Sequence, residues 1–254
     1  MKLTTIGTGT GAPHPSRVCA AHLVEVGSVK LLLDCGNGAV HRMASLNVRW
    51  NDITHVAITH FHADHVADLP MLIFAWRWGQ MPPRVEPITI IGPVGLQALV
   101  ERLAAAFGAW TLDPGFPVLI QEYEPGSSIL LGLDAEVTIT IRAVPHTPES
   151  VAYSVVHGAH RLVYTGDTSF DPELASWAKG CSVFLSECSL PDALAIPEHL
   201  TPRQCGAMAA IAQPAQLVLT HFYPPLDLVD VKAQVAEHFS GSVALATDGF
   251  SIEL

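Results

Sequence analysis

The stretch Thr59-His60-Phe61-His62-Ala63-Asp64-His65 puts four potential metal ligands within six positions, a density that core packing does not explain. It follows an apolar run over 55–58 that reads as a short buried strand, and it precedes a helical pattern. Alternate residues of an extended segment project to the same side, so His60 and His62 can grip one ion together. Asp64 and His65 lie past the strand end, where the chain turns, and can face a second ion beside the first. A polar turn with satisfied histidines is the bland alternative. The strand–loop–helix context favours the metal motif.

Further ligand types occur where other apolar strands stop. His146 follows Ala143-Val144-Pro145, Asp167 follows the run 162–166, and His221 follows the run 217–220. A single histidine after a strand is more often a surface or core residue. Three such placements beside the first cluster reverse that balance. The sum is five histidines and two aspartates, enough for two ions with three or four protein ligands each. Imidazole and carboxylate without thiolate favour Zn2+, with Mn2+ and Fe2+ as competitors.

The elements that must carry these residues follow from periodicity and punctuation. A first strand over 3–6 ends in a glycine-rich turn over 7–17, whose GxGxG spacing lacks the helix of a dinucleotide fingerprint. Strands over 22–26 and 30–34 form a hairpin around Gly27-Ser28, and 39–46 reads as a helix. After the histidine motif come a helix over 71–78, a strand over 88–91 and a helix from Pro93 or Val94 through Phe107. Strands over 118–123, 137–144, 151–156 and 161–165 follow, then a helix over 171–178 and a strand over 182–187. Thr201 caps a helix over 201–212 with Pro202 at its first position. A strand over 216–220, a helix over 226–239 and a strand over 243–246 complete the pattern. Two batches of strands, each closed by helices, imply an α/β fold of two sheets packed face to face with helices outside. No linker, charge run or low-complexity tract divides residues 1–254, which read as one domain.

Bulk composition narrows the function classes. With 49% hydrophobic residues in 254, the chain can bury a large core. A formal net charge of −11 argues against broad attraction to nucleic acid or to an anionic membrane. The five cysteines are scattered without a CxxC pair and read as reduced thiols of a cytoplasmic protein. The N-terminal residues lack the apolar core of a signal peptide, and the run over 69–76 is too short to span a bilayer.

Taken in order, GTGTGAPHPSR, LLLDCGNG, AITHFHADHVADLP, YTGDTS, SEC, EHLT and LTHFYP resemble the metallo-β-lactamase superfamily. In detail they resemble its ribonuclease Z-like branch and the related small phosphodiesterases, over nearly the whole chain. The resemblance implies a four-layer αββα sandwich with its site at the edge of the two sheets. It implies His60, His62 and His146 on one metal, Asp64, His65 and His221 on the other, and Asp167 bridging them. It also implies that His199 protonates the leaving group, oriented by Glu187. Glu187 ends an apolar strand, an unfavourable place for an unpartnered carboxylate. Asp64 is expected to double as a catalytic hydrogen-bond partner of the attacking hydroxide.

The expected activity is that of a dinuclear phosphodiesterase acting on a small or single-stranded phosphodiester. Two cations about 3.5–4 Å apart would hold a hydroxide formed near neutral pH. Two Zn2+, two carboxylates and one hydroxide leave one net positive charge, which suits an anionic substrate. In ribonuclease Z a long arm that grips tRNA is inserted between the matches to His146 and Asp167. Here only 20 residues lie between them, which argues against binding of full tRNA. A homodimer is expected from the resemblance. The same site would serve a lactone, lactam or other ester or amide hydrolase, which needs neither His199 nor Glu187, or an iron-dependent redox enzyme. A metal-stabilised binding protein is the remaining reading. His14 and Arg17 read as a polar loop within reach of a phosphate, Trp76 and Trp78 as core, and Asp248 as a turn residue.

Overall fold

Alternation along the strands decides the architecture. In β3 (Val29–Leu33), Leu31 and Leu33 face one side and Leu32 the other, and all three are buried. A strand covered on both faces lies between two layers. The computed structural model, which describes residues 1–132 and 137–254, bears this out across two seven-stranded sheets. The first sheet contains β1 (Lys2–Gly7), β2 (Ala21–Val26), β3, β4 (His55–Ala57), β5 (Ile88–Gly92), β6 (Val118–Glu122) and β14 (Ser251–Glu253). The second contains β7 (Ser128–Leu131), β8 (Val137–Ala143), β9 (Val151–His157), β10 (His160–Tyr164), β11 (Val183–Glu187), β12 (Gln216–Thr220) and β13 (Ser242–Leu245). Their orders are β14-β1-β2-β3-β4-β5-β6 and β13-β12-β11-β10-β9-β8-β7.

Three apolar clusters separate the four layers. Leu31, Leu33 and Ile91 of the first sheet meet Ile139, Val155, Leu162 and Val218 of the second. On the outer face of the first sheet, Leu32, Val56 and Ile90 pack on α1 (Ala39–Ser45), α3 (Leu69–Trp78) and α4 (Leu96–Phe107) through Met43, Leu72, Trp76 and Val100. On the outer face of the second, Val163, Phe184 and Leu217 pack on α5 (Pro172–Trp177), α6 (Pro202–Ala212) and α7 (Val231–Ala236) through Leu174, Met208 and Val235. The expected αββα sandwich is the observed one.

Several boundaries differ from the sequence reading. The helix read over 226–239 is a 3-10 turn, Pro224–Leu228, followed by the short α7, because Asp230 caps a new helix by accepting from the Ala233 N–H. Pro93 to Gly95 stays outside α4, with Gly95 left-handed at φ 107°. Strands β7 and β14 are short edge segments that the reading did not contain. Asp248 lies in a turn but does more than turn the chain. Its buried carboxylate accepts from Thr8 N–H, Thr8 Oγ1 and Val18 N–H and pairs with Arg42 at 3.1 Å, tying the first loop to the end of the chain.

What matters for function is where strands end. β3, β4 and β5 are parallel, as are β10, β11 and β12, and their C-terminal ends meet at one edge of the sandwich. Cross-sheet bonds fix that edge: Tyr153 Oη donates to the Ile58 carbonyl at 2.7 Å, and Val151 N–H to the Thr59 carbonyl at 3.0 Å. Phe184 has no exposed surface in the outer core. Phe184→Ala is expected to lower the unfolding free energy by about 3–5 kcal/mol in a urea titration. Phe170→Ala, at an exposed position, should change it by under about 0.5 kcal/mol.

Candidate metal centre

Strand ends, and the turns and short helix that follow them, deliver the seven ligand-type side chains. His60 and His62 follow β4, and His62 precedes α2 (Ala63–Val66), which carries Asp64 and His65. His146 follows β8, Asp167 follows β10, and His221 follows β12. His60, His62, His146 and Asp167 form one group whose ligand atoms lie within 4.8 Å of one another, and Asp64, His65 and His221 form a second. Asp167 stands between them. Its Oδ2 is 3.8 Å from His60 Nε2 and 3.9 Å from His146 Nε2, while its Oδ1 is 3.2 Å from His65 Nε2 and 3.3 Å from His221 Nε2. All seven predicted ligand positions therefore converge.

Local backbone explains the aim of these groups. Gly166 has φ 58°, and a Cβ there would come 2.9 Å from Thr59 Cβ, so only glycine fits the turn that presents Asp167. Asp34 and His221 adopt left-handed φ of 59° and 61° without being glycine, a cost that tends to concentrate at functional positions. Asp34 is buried at the end of β3 and accepts from Thr59 N–H, Thr59 Oγ1, Tyr164 Oη and His65 Nδ1, the last at 2.8 Å. That bond turns His65 Nε2 toward Asp167. His146 Nδ1 likewise donates to the Glu198 carbonyl at 3.1 Å, which leaves Nε2 facing the cluster. The sequence reading did not include Asp34 among the site residues. The signal was present, since a carboxylate closing the run Leu31-Leu32-Leu33 needs partners for the same reason as Glu187.

The site is short of positive charge. Burial alone would raise Asp64 and Asp167, but the His221 hydrogen bond and the charge of His65 outweigh it at Asp64, and the charges of His221 and His65 outweigh it at Asp167, so both lie well below the usual carboxylate range. Burial works against a charge on His65, yet Asp167 and Asp34 outweigh it and hold this imidazole well above its ordinary value. Burial, with His65 nearby, pushes His60 down to about 2. Among the described residues, His60 Nε2 and Asp167 Oδ1 are buried without a hydrogen-bond partner. His146 Nε2 and His62 Nδ1, both turned inward, lie 3.2 Å apart. Inward lone pairs facing each other around ionised carboxylates are what a divalent cation satisfies. The donor set fits one.

Beside this cluster, His199 Nδ1 donates to Glu187 Oε1 at 3.0 Å and lies 4.0 Å from Asp167 Oδ2. His199 is 8% exposed, a buried residue and not a solvated loop histidine. Thr201 caps α6 through a capping box with Gln204, which fixes the chain just after it. Glu187 also accepts from Thr168 N–H at 2.7 Å and Leu200 N–H at 3.2 Å, so it holds the Asp167 and His199 loops while bonding the imidazole. Other candidates lie elsewhere. His14 and Arg17 both pair with Asp227, Trp76 is core, and Trp78 is exposed on α3.

Fold and cluster together define a metal-dependent hydrolase of the metallo-β-lactamase fold, in its ribonuclease Z-like branch. The family model for the anti-Pycsar protein Apyc1 matches residues 1–201, and the chain belongs to that family. It is 30% identical over 273 residues to the ribonuclease Z of Mycobacterium avium (strain 104), with 98% of this chain and 96% of that protein covered. Among solved structures, the metallo-β-lactamase fold protein YhfI from Bacillus subtilis superposes with a TM-score of 0.85 at 24% identity, covering 99% of this chain and 98% of that one. Zn2+-bound PqqB from Methylobacterium extorquens superposes with a TM-score of 0.79 at 17% identity, covering 100% of both.

Burial lowers His199, but the hydrogen bond and charge of Glu187 prevail and raise it to about 9. A raised folded pKa stabilises the protein fully below the unfolded value near 6.5, and that increment is lost as pH climbs through 9. In metal-free protein, wild type should therefore lose on the order of 3 kcal/mol more stability between pH 6 and 10 than His199→Gln. Equal losses in urea titrations across that range would show that the pair is not formed.

Proposed function

We propose that this protein hydrolyses phosphodiesters with a pair of divalent metal ions, Zn2+ in the first instance. His60, His62 and His146 hold one ion, Asp64, His65 and His221 the other, and Asp167 serves both. The single observation that carries this reading is the position of Asp167, one carboxylate oxygen toward each histidine group. A pair of cations bound there supplies Lewis acidity and a water nucleophile available near neutral pH.

The chain's own groups do the rest. Asp64, its carboxyl held low, accepts a hydrogen bond from the nucleophilic water and aligns it. His199 carries the proton for the leaving oxygen. Its Nδ1 is committed to Glu187, so Nε2 is the donating atom. Glu187 keeps that imidazole charged and in place, and four donors hold the carboxylate itself. Expulsion of an alkoxide from a phosphodiester calls for a proton donor, and the buried His199–Glu187 pair beside the cluster supplies one, which supports the phosphodiester reading.

The substrate is a small or single-stranded phosphodiester. Only the hairpin of β9 and β10 lies between His146 and Asp167, and the net charge of −11 disfavours a long polyanion. Residues 1–254 act as one domain, because a single apolar cluster is shared by both sheets. Among the described residues no helix is long and apolar enough to cross a membrane, and the five cysteines are all free, which supports a reducing, cytoplasmic setting.

A homodimer is part of the proposal. Met71, Phe74 and Trp78 line one side of α3, with Phe107 and Trp110 against them, and four of these five are exposed beyond a third. Such a concentration of apolar surface marks an association face. A second copy supplies an apolar counterpart to this face. Light scattering should give twice 27.2 kDa for wild type and 27.2 kDa for Phe74→Glu. A wild-type monomer removes the dimer from the account.

The activity is tested with bis-p-nitrophenyl phosphate, cyclic nucleotides, a tRNA precursor, lactones and β-lactams against zinc- and manganese-loaded protein. Turnover is expected on phosphodiesters and is lost on chelation. His199→Ala should lower kcat by about 10²–10⁴ with its metal content intact. Full phosphodiesterase turnover by that variant would favour the lactone or lactam reading. One iron per chain and no zinc in protein from unsupplemented cells would favour redox chemistry.

A further inference from the structure

Ser189 lies two residues past the end of β11 and has no exposed surface. Its backbone is held from both sides: the N–H donates to the Leu200 carbonyl at 2.9 Å, and the carbonyl accepts from Tyr223 N–H at 3.1 Å. Those neighbours belong to the loops that carry His199 and His221. Its Oγ is 2.5 Å from Glu187 Oε2, 2.9 Å from His221 Nδ1 and 3.3 Å from His199 Nδ1. One small side chain thus touches the proton-donor pair and the metal cluster at once.

Hydrogen-bond arithmetic fixes the roles. A hydroxyl has one proton to give and two lone pairs to receive with, and a carboxylate can only accept. The Ser189 proton therefore goes to Glu187, and its lone pairs face the two imidazole nitrogens. His221 Nδ1 must be the N–H. In the neutral form that binds a cation, its Nε2 then presents a lone pair toward the space beside Asp64 Oδ2, at 3.5 Å, and Asp167 Oδ1, at 3.3 Å. Among the described residues His221 Nδ1 has no other hydrogen-bond partner. Without the hydroxyl, a neutral His221 is free to carry its proton on Nε2, where it would block a cation.

We propose that Ser189 is a positioning residue for His221: its hydroxyl selects the tautomer that offers Nε2 to the Asp64–His65–His221 position and links that imidazole to Glu187. This rests on the two-metal reading above. Through the same hydroxyl the charge of Glu187 makes His221 a stronger donor, as outer partners of metal-bound histidines do. The other group has supports of its own, Thr59 Oγ1 at 3.1 Å from His60 Nδ1 and the Glu198 carbonyl on His146 Nδ1. Ser189 touches neither. The effect of removing it is accordingly confined to one of the two positions.

The test is a calorimetric Zn2+ titration of metal-free wild type, Ser189→Ala and Ser189→Cys, with bound zinc counted by atomic emission. Wild type is expected to take two equivalents. Both variants should bind one of the two equivalents like wild type and the other about 10–100-fold more weakly. Wild-type affinity for both equivalents in the variants would overturn the proposal, and so would equal weakening of both, which is the mark of general loosening. Fewer than two equivalents in wild type would instead sink the two-metal reading. Ser189→Cys keeps the shape while donating and accepting poorly, so it decides the question if the alanine variant does not fold.

Discussion

A single buried carboxylate facing two histidine groups sets the terms for the whole molecule. Asp167 can turn one oxygen to His60 and His146 and the other to His65 and His221 only if the ends of β4 and β10, from different sheets, arrive at the same edge. The shared apolar core brings the sheets together. The bonds from Tyr153 and Val151 to the chain around Thr59 then set their register at that edge. Tyr164 and Asp34 complete the joint, a phenol of the second sheet donating to a carboxylate of the first at 2.8 Å. Packing and site geometry are one constraint here.

Electrostatics gives that edge its chemistry. Four carboxylates, Asp34, Asp64, Asp167 and Glu187, lie at the cluster, three of them with no more than 2% exposure. Isolated buried charges of this kind are too costly to persist. Backbone and hydroxyl donors satisfy Asp34 and Glu187, whereas Asp64 and Asp167 depend mainly on imidazoles. In metal-free protein the balance is restored by protons on His65 and His199, and divalent cations would do so more completely. With divalent cations bound, a protein of net charge −11 would carry positive charge at this one spot, where an anionic substrate would be held.

Much of this was legible in the sequence because it is local. Period-two alternation in the buried strands, the spacing of His60, His62, Asp64 and His65, and ligand types just past apolar runs all survive as short patterns. Glu187 was readable as a carboxylate at the end of such a run. What escaped is non-local. Asp248 looks like a turn residue because the groups it holds, Thr8 and Val18, are 240 and 230 positions away. Ser189 is one serine among several until His221, 32 residues later, is placed against it. The edge strands β7 and β14 were missed because they are short and half-covered, so that pairing partners and not composition define them. The helix over 226–239 was overextended because Asp230, an internal cap, interrupts an otherwise apolar periodicity.

Anomalous diffraction from zinc-loaded crystals, collected on both sides of the zinc absorption edge, addresses the central claim most directly. The account predicts two peaks about 3.5–4 Å apart, one on each side of the Asp167 carboxylate. One peak alone, or peaks away from Asp167, would contradict it.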